Sequence, residues 1–324
     1  MWNRRVFLVR GSALVGAPFA AQAQLAGRTF RIGVLLITAR AHPGADRLLQ
    51  PFLLGMRELG YVDGRNLIIE WREAEGHAAR LPVLASDLVA LKVDLIVAGG
   101  HEAAHAAKAA TEAIPIVFVA SNDPVGQGLV KSYSRPGGNV TGFTSEILGG
   151  KRLELLREVA PQVSRVAVLH VSGDATLVAA LREPSARLKL QLLLHELKSE
   201  VELDNVFRTI EQERPEGMIV LGGVFAYVHR ERILRFTAAQ RLPAIYPLAR
   251  WVEDGGLMSY ALDYADNWRR TVAYVDRILK GASPADLPVQ LPTKYELVLN
   301  RKAAKALGLA FPPSVLLRAD RVIE

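Results

Sequence analysis

The sequence predicts an α/β protein built as two Rossmann-like lobes with parallel sheets, preceded by an export segment. Three observations carry this. Apolar runs of strand length alternate with helical stretches along the chain. A unit of strand, Gly-Gly, helix, apolar-Pro and strand occurs twice, once over residues 95–118 and again over 218–246. The first 24 residues have the composition of an address and not of a folded element.

The elements follow in order. Residues 30–37 form a first strand, and 46–59 a helix with Leu48, Leu49, Phe52, Leu53, Met56 and Leu59 on one face. Residues 66–71 are a second strand and 81–91 a second helix. A third strand, 94–98, ends in Gly99-Gly100, and the alanine-rich helix 102–111 leads into Ile114-Pro115-Ile116-Val117-Phe118-Val119. This βαβα order implies a mostly parallel sheet with helices on both faces. The turn-rich Arg135-Pro136-Gly137-Gly138-Asn139 closes the first lobe.

In the second lobe, a helix at 152–159 precedes a strand at 165–170 and a helix at 177–188. The repeat of the Gly-Gly unit follows: strand to Gly222-Gly223, helix 228–240, strand 242–246. Residues 256–260 read as a strand and 268–279 as a helix. Beyond them Pro284, Pro288, Pro292 and Pro312-Pro313 break the tail into short pieces, which can cross back between lobes as several hinge strands. The expected division is an export segment at 1–23, a first lobe of 28–143 with 262–283, and a second of 144–261 with 284–324.

The export segment places Arg4-Arg5 before a weakly apolar stretch and ends in Ala21-Gln22-Ala23, the small-x-small pattern of signal cleavage. Paired arginines followed by Val6-Phe7-Leu8 resemble a twin-arginine signal; the alternative is an ordinary secretory one. The apolar stretch is shorter than the roughly 20 residues a bilayer span needs. Cleavage near Ala23 would leave a periplasmic chain. Its formal charge falls from +7 to +4, because three arginines and no acid leave. The remaining charges are interleaved, as in His229-Arg230-Glu231-Arg232, which argues against a nucleic-acid partner. The chain has no cysteine, so neither disulfides, thiol chemistry nor a Cys-linked lipid anchor is available.

In open α/β sheets, ligands sit beyond the carboxyl ends of strands, where glycines permit close approach and helix N-termini offer free N–H groups. That logic selects Thr38, Gly100, His101, Ser121, Asn122 and Asp123 in the first lobe. In the second it selects Asp174, Phe225, Tyr227 and Tyr246, with Tyr260 and Asp263 near the hinge. Asp123 and Asp263 are candidate ammonium receptors, and the aromatic residues could stack on a planar ligand.

His101-Glu102-Ala103-Ala104-His105 is also a literal H-E-x-x-H, the pattern of zinc peptidases, with Glu112 and Asp123 as possible third ligands. Against catalysis, the motif starts directly at a Gly-Gly turn and no third His follows at the metzincin spacing. No Gly-x-Ser-x-Gly elbow, P-loop or dinucleotide fingerprint is present.

Several blocks together resemble the extracytoplasmic solute-binding proteins of ABC transporters, in the family with tryptophan- and tyrosine-type binding components. They include Arg57-Glu58-Leu59-Gly60-Tyr61, Asp123-Pro124-Val125, Pro136-Gly137-Gly138-Asn139-Val140-Thr141-Gly142, Lys151-Arg152-Leu153-Glu154-Leu155-Leu156 and Gly256-Leu257-Met258-Ser259-Tyr260. The resemblance implies a type I periplasmic-binding-protein fold with three hinge crossings and a ligand in the cleft. It implies a non-catalytic, cofactor-free, monomeric receptor that takes a small polar ligand, such as an amino acid, to ABC permease subunits; docking on a membrane sensor is the alternative. At His101-Glu102 the chain departs from relatives, which carry a small residue and Pro there. That departure favours a cationic or hydroxyl-bearing ligand.

Overall fold

Parallel strands are covered by helices on both sides, so they need nearly continuous apolar sequence, and the first sheet has it. A computed structural model describes residues 28–41, 45–145, 148–171, 175–198 and 200–324. The export segment 1–23 lies outside these residues. In the first lobe, β1 (Phe30–Leu36), α1 (Ala45–Glu58), β2 (Leu67–Glu73), α2 (Leu81–Ala90), β3 (Leu95–Gly99), α3 (His101–Ala110), β4 (Ile116–Asn122) and β5 (Val140–Ser145) succeed one another. The five strands pair in the order β2-β1-β3-β4-β5, all parallel.

Period-two alternation splits each strand between two cores. Ile32, Val34, Val97 and Val117 pack with Leu49, Phe52 and Met56 of α1. Leu35, Ile96, Ala98 and Phe118 face the other way, against Leu81, Ala85 and Leu88 of α2 and the alanines of α3. Of the six residues expected on the buried face of α1, Leu48 and Leu59 are instead 38% and 48% exposed, because the apolar stripe is wider than the surface it covers.

The second lobe begins with α4 (Gly149–Val159) and continues through β6 (Arg165–Val171), α5 (Ala175–Ala179), α6 (Arg182–Arg187), β7 (Gln191–Leu197), α7 (Leu203–Glu213), β8 (Gly217–Val220), α8 (Val224–Val228), α9 (Arg230–Ala239), β9 (Ala244–Tyr246), α10 (Ala249–Glu253) and β10 (Met258–Leu262). After α11 (Tyr264–Leu279) come β11 (Tyr295–Asn300), α12 (Arg301–Leu307), α13 (Pro313–Leu316) and β12 (Arg321–Ile323). The strand order is β12-β11-β10-β9-β8-β6-β7, and β10 with β11 is its antiparallel pair. The single helix expected at 177–188 is two short ones. Pro184 has no N–H for the carbonyl of Ala180, so the helix breaks there and restarts.

Three crossings join the lobes: β5 to α4, β10 to α11, and the stretch from Gln290 to β11. They are strapped to one another. Gln290 accepts from Thr144 N at 2.9 Å and donates to Gly142 O at 2.9 Å. Asp263 N donates to Lys294 O at 3.1 Å, and the two side chains pair at 2.8 Å. Helix α11 returns to the first lobe, where Trp268, Val272 and Val275 complete the core beside α1. Among the described residues no helix is long and apolar enough to cross a membrane.

Candidate functional site

Both Gly-Gly pairs do the same work. Gly100 (φ 108°) and Gly223 (φ 92°) take backbone conformations that side chains rarely allow, and each is the residue on which the next helix starts. The strand ends of the two sheets thus turn directly into α3 and α8. In the first lobe the neighbouring turn is strained without glycine. Ala120 (φ 60°) and Asp123 (φ 39°) are both left-handed, at a cost of about 1 kcal/mol each, and the β4–β5 register shifts between Val119 and Ser121.

This distortion presents Ser121 and Asn122 to the adjacent strand ends. Buried Ser121 Oγ lies 3.1 Å from His101 Nδ1, and Ser145 Oγ donates to Asn122 Oδ1. Gly100, His101, Ser121 and Asn122 therefore form one connected rim at the ends of β3, β4 and β5. Half-buried Thr38 lies two residues beyond β1 at the same end of the sheet. Asp123 closes a local turn, accepting from Gly126 N at 3.0 Å.

In the second lobe, Phe225 packs on His229 with ring centroids 4.5 Å apart. Tyr227 is covered by the Arg230 guanidinium, 4.9 Å from its ring centre, and burial pushes its hydroxyl pKa up. Arg230 is held by Asp254 at 2.7 Å, which Arg250 also reaches at 2.8 Å. Burial alone would raise the Asp254 carboxyl; the two guanidinium groups outweigh it and hold it below the usual range.

Three candidates take structural roles. Tyr246 is 1% exposed, stacked on Trp251 at 5.2 Å with its hydroxyl 2.7 Å from Thr237 Oγ1, so it is core and offers no face to a ligand. A three-residue strand this deep in the sheet leaves its last ring inside. Asp263 caps α11 through Asp266 N at 3.0 Å and already holds an ammonium group, that of Lys294. Its carboxyl, which burial would raise, is lowered by that ammonium and the helix-end N–H groups. Tyr260 stacks on Tyr295 at 5.8 Å, against the second lobe's core. Asp174 lies outside the described residues.

The H-E-x-x-H segment occupies the first turns of α3. The His101 and His105 rings are 4.5 Å apart, and both, with Glu102, line a groove of about 330 Å³ beside Leu81 and Pro82. Burial and the nearby His101 lower the His105 pKa, and its Nε2 is sealed without a hydrogen-bond partner among the described residues. Neither Glu112 nor Asp123 joins them: among the described residues no group of three His, Cys, Asp or Glu side chains could hold a metal. His101 is turned to Ser121 instead.

Two residues outside the candidates drawn from the sequence stand beside the β10-to-α11 crossing. Arg152, 9% exposed, donates from Nε to Tyr260 O at 2.9 Å and from Nη2 to Pro247 O at 3.4 Å. Tyr264, half-buried at the start of α11, feels both the Arg152 guanidinium of the second lobe and the Glu102 carboxylate of the first. A signal for Arg152 exists in the sequence. It occupies the first place of the stripe Arg152, Leu155, Leu156, Val159, all of it buried in the structure.

Comparison with known proteins gives consistent results. The chain is 26% identical over 271 residues to a tyrosine-binding protein of Clostridioides difficile, covering 83% of this chain and 78% of that protein. It superposes on an ABC domain from Streptococcus pneumoniae solved in complex with L-Trp, with TM-score 0.84 and 28% identity over 91% of this chain and all of that one. On a ligand-free, open substrate-binding protein with adhesive properties from Clostridium difficile the TM-score is 0.70, at 26% identity over 91% of this chain and 99% of that one. Residues 31–323 match the model of one family, and with the two-lobed fold this settles the assignment: the chain belongs to the ABC transporter substrate binding protein family.

Proposed function

We propose that the chain is a periplasmic receptor that closes its lobes on a small polar ligand, an amino acid or close relative, and delivers it to an ABC permease. The observation that carries this is the family match over residues 31–323 in a two-lobed fold, supported by the whole-chain similarity to an L-Trp complex at TM-score 0.84. The lobes divide as 28–143 with 262–283 and 144–261 with 284–324, with the third crossing a few residues inside the last segment, since Leu287 and Val289 still pack in the first lobe's cores. Residues 1–23 act as a twin-arginine export signal cleaved near Ala23, and the mature chain works as a monomer without catalysis.

The ligand touches both lobes, because a ligand bound equally well by open and closed forms shifts nothing. The first lobe contributes the rim of Thr38, Gly100, His101, Ser121, Asn122 and Asp123. Phe225 and Tyr227 face it from the second lobe. Micromolar affinity corresponds to about −8 kcal/mol, which includes the cost of closure.

Thermal unfolding of the chain from Gln24, screened against amino acids, nucleosides, small carboxylates and zinc, tests this. A ligand at a hundred times its dissociation constant adds about 2.7 kcal/mol and moves the midpoint by several degrees. An organic hit is expected with no zinc present. A shift with zinc alone would reverse the reading and return attention to His101 and His105.

A further inference from the structure

The chain first enters the second lobe through α4, and the apolar stripe on that helix begins with a charge. Arg152 is followed on the same face by Leu155, Leu156 and Val159, so the helix that packs these leucines must also carry a guanidinium inside. The side chain lies past the carboxyl end of β9 and beside the middle of β10, with Nη2 on Pro247 O at 3.4 Å and Nε on Tyr260 O at 2.9 Å. Strand carboxyl ends are where open α/β sheets bind ligands.

Two carbonyl dipoles orient this group but do not neutralise it. Among the described residues no carboxylate pairs with Arg152, although it is only 9% exposed, and burial pushes its pKa down to about 10. Nη1 makes no hydrogen bond to any described residue, yet it is not among the polar atoms sealed from solvent. A buried, uncompensated charge is costly to keep, and a structural cross-link between two carbonyls needs only neutral donors. A guanidinium fork with free N–H groups is the side chain best matched to a carboxylate. Arg152 is bonded to Tyr260 of β10, and Tyr264, which opens α11 directly past the β10 crossing, feels both Arg152 and the first lobe's Glu102, so this fork stands beside a crossing between the lobes.

We propose that Arg152 is the receptor for the ligand's carboxylate, making the cleft selective for small molecules that carry one. This rests on the receptor reading above and narrows it to a substrate class. It also supplies the anion site that His101-Glu102 does not offer in the first lobe.

The test compares acids with their carboxamides. L-tryptophan, L-tyrosine and the amide of each are titrated by calorimetry into the chain from Gln24, as wild type, Arg152→Gln and Arg152→Lys, together with any further ligand found in the thermal screen. The wild type should bind the acid about 100-fold more tightly than the amide, the loss expected for a charge-assisted bidentate pair. In Arg152→Gln that gap should close to about threefold, while Arg152→Lys keeps part of it. Equal binding of acid and amide by the wild type would overturn the assignment, as would an undiminished gap in Arg152→Gln. The wild-type comparison decides the matter if the variants fail to fold. A ligand without a carboxylate would leave the receptor reading standing and end this one. Absence of any ligand would remove the receptor reading itself.

Discussion

Gly142→Ala is expected to lose about 4 kcal/mol of stability, near the upper end for a single substitution. Gly142 pairs with Phe118 across β4 and β5, with φ at 154°. A Cβ there would stand 2.2 Å from Phe118 O and 2.7 Å from Phe118 N. These are backbone atoms of a central strand buried on both faces, so neither rotamer change nor a small shift relieves the clash. The same residue accepts from Gln290 N at 2.9 Å, so moving β5 also disturbs a hinge crossing. Gly138→Ala, four residues earlier and with nothing within 4 Å of its Cβ, is the control and should change stability by less than about 1 kcal/mol. Thermal denaturation of both variants decides. At about 2–4 °C per kcal/mol the Gly142→Ala midpoint should fall by roughly 10 °C. Coincident transitions for the two variants would refute the packing described for β5.

Asp254→Ala should cost about 3 kcal/mol, more than an exposed ion pair contributes. The reason is its partner. Arg230 is 8% exposed, anchored to Asp254 at 2.7 Å, and donates to Tyr227 O at 3.2 Å. Removing the carboxylate strands a buried guanidinium beside helix α8, which carries Phe225 and Tyr227, and it also removes the partner of Arg250. Arg230→Met together with Asp254→Ala should recover part of the loss, because the buried guanidinium is then gone and only the more exposed Arg250 loses its partner. Chemical denaturation of the two single variants and the double gives the coupling. If the double loses the sum of the singles, the pair is not coupled as described.

How much of this was legible in the sequence depends on the kind of signal. Strands with apolar runs, such as Phe30–Leu36 and Leu95–Gly99, announce themselves because both faces are buried. The glycine pairs at Gly99-Gly100 and Gly222-Gly223 reveal the repeat because the positive φ taken by Gly100, Gly222 and Gly223 is a local property. Strand Gln191–Leu197 was not visible: Gln-Leu-Leu-Leu-His-Glu-Leu favours helix, and only pairing with β6 makes it extended. The tail strand Tyr295–Asn300 was hidden in the same way, its partner Met258–Leu262 being more than thirty residues upstream.

The site was legible to a smaller degree. The strand-end rule finds the rim of Gly100, His101, Ser121 and Asn122, where His101 is bonded to Ser121 and Asn122 to the neighbouring Ser145. It cannot tell that Tyr246 points inward, since which face a short strand buries depends on the neighbouring helices. Nor does it find Arg152, whose charge is read as a solvated helix face until its apolar neighbours three, four and seven residues on are counted. The H-E-x-x-H match shows the reverse error. Its spacing is that of a metal site, but a third ligand is a matter of tertiary structure, and none joins it among the described residues.

The most direct measurement is a calorimetric titration of the chain from Gln24 with amino acids, L-tryptophan and L-tyrosine first, at two temperatures. A receptor that closes on its ligand predicts saturable one-to-one binding, with a dissociation constant of about 1 μM or lower and heat that grows more exothermic on warming as apolar surface is buried. A folded chain that gives no saturable heat with any amino acid would contradict it.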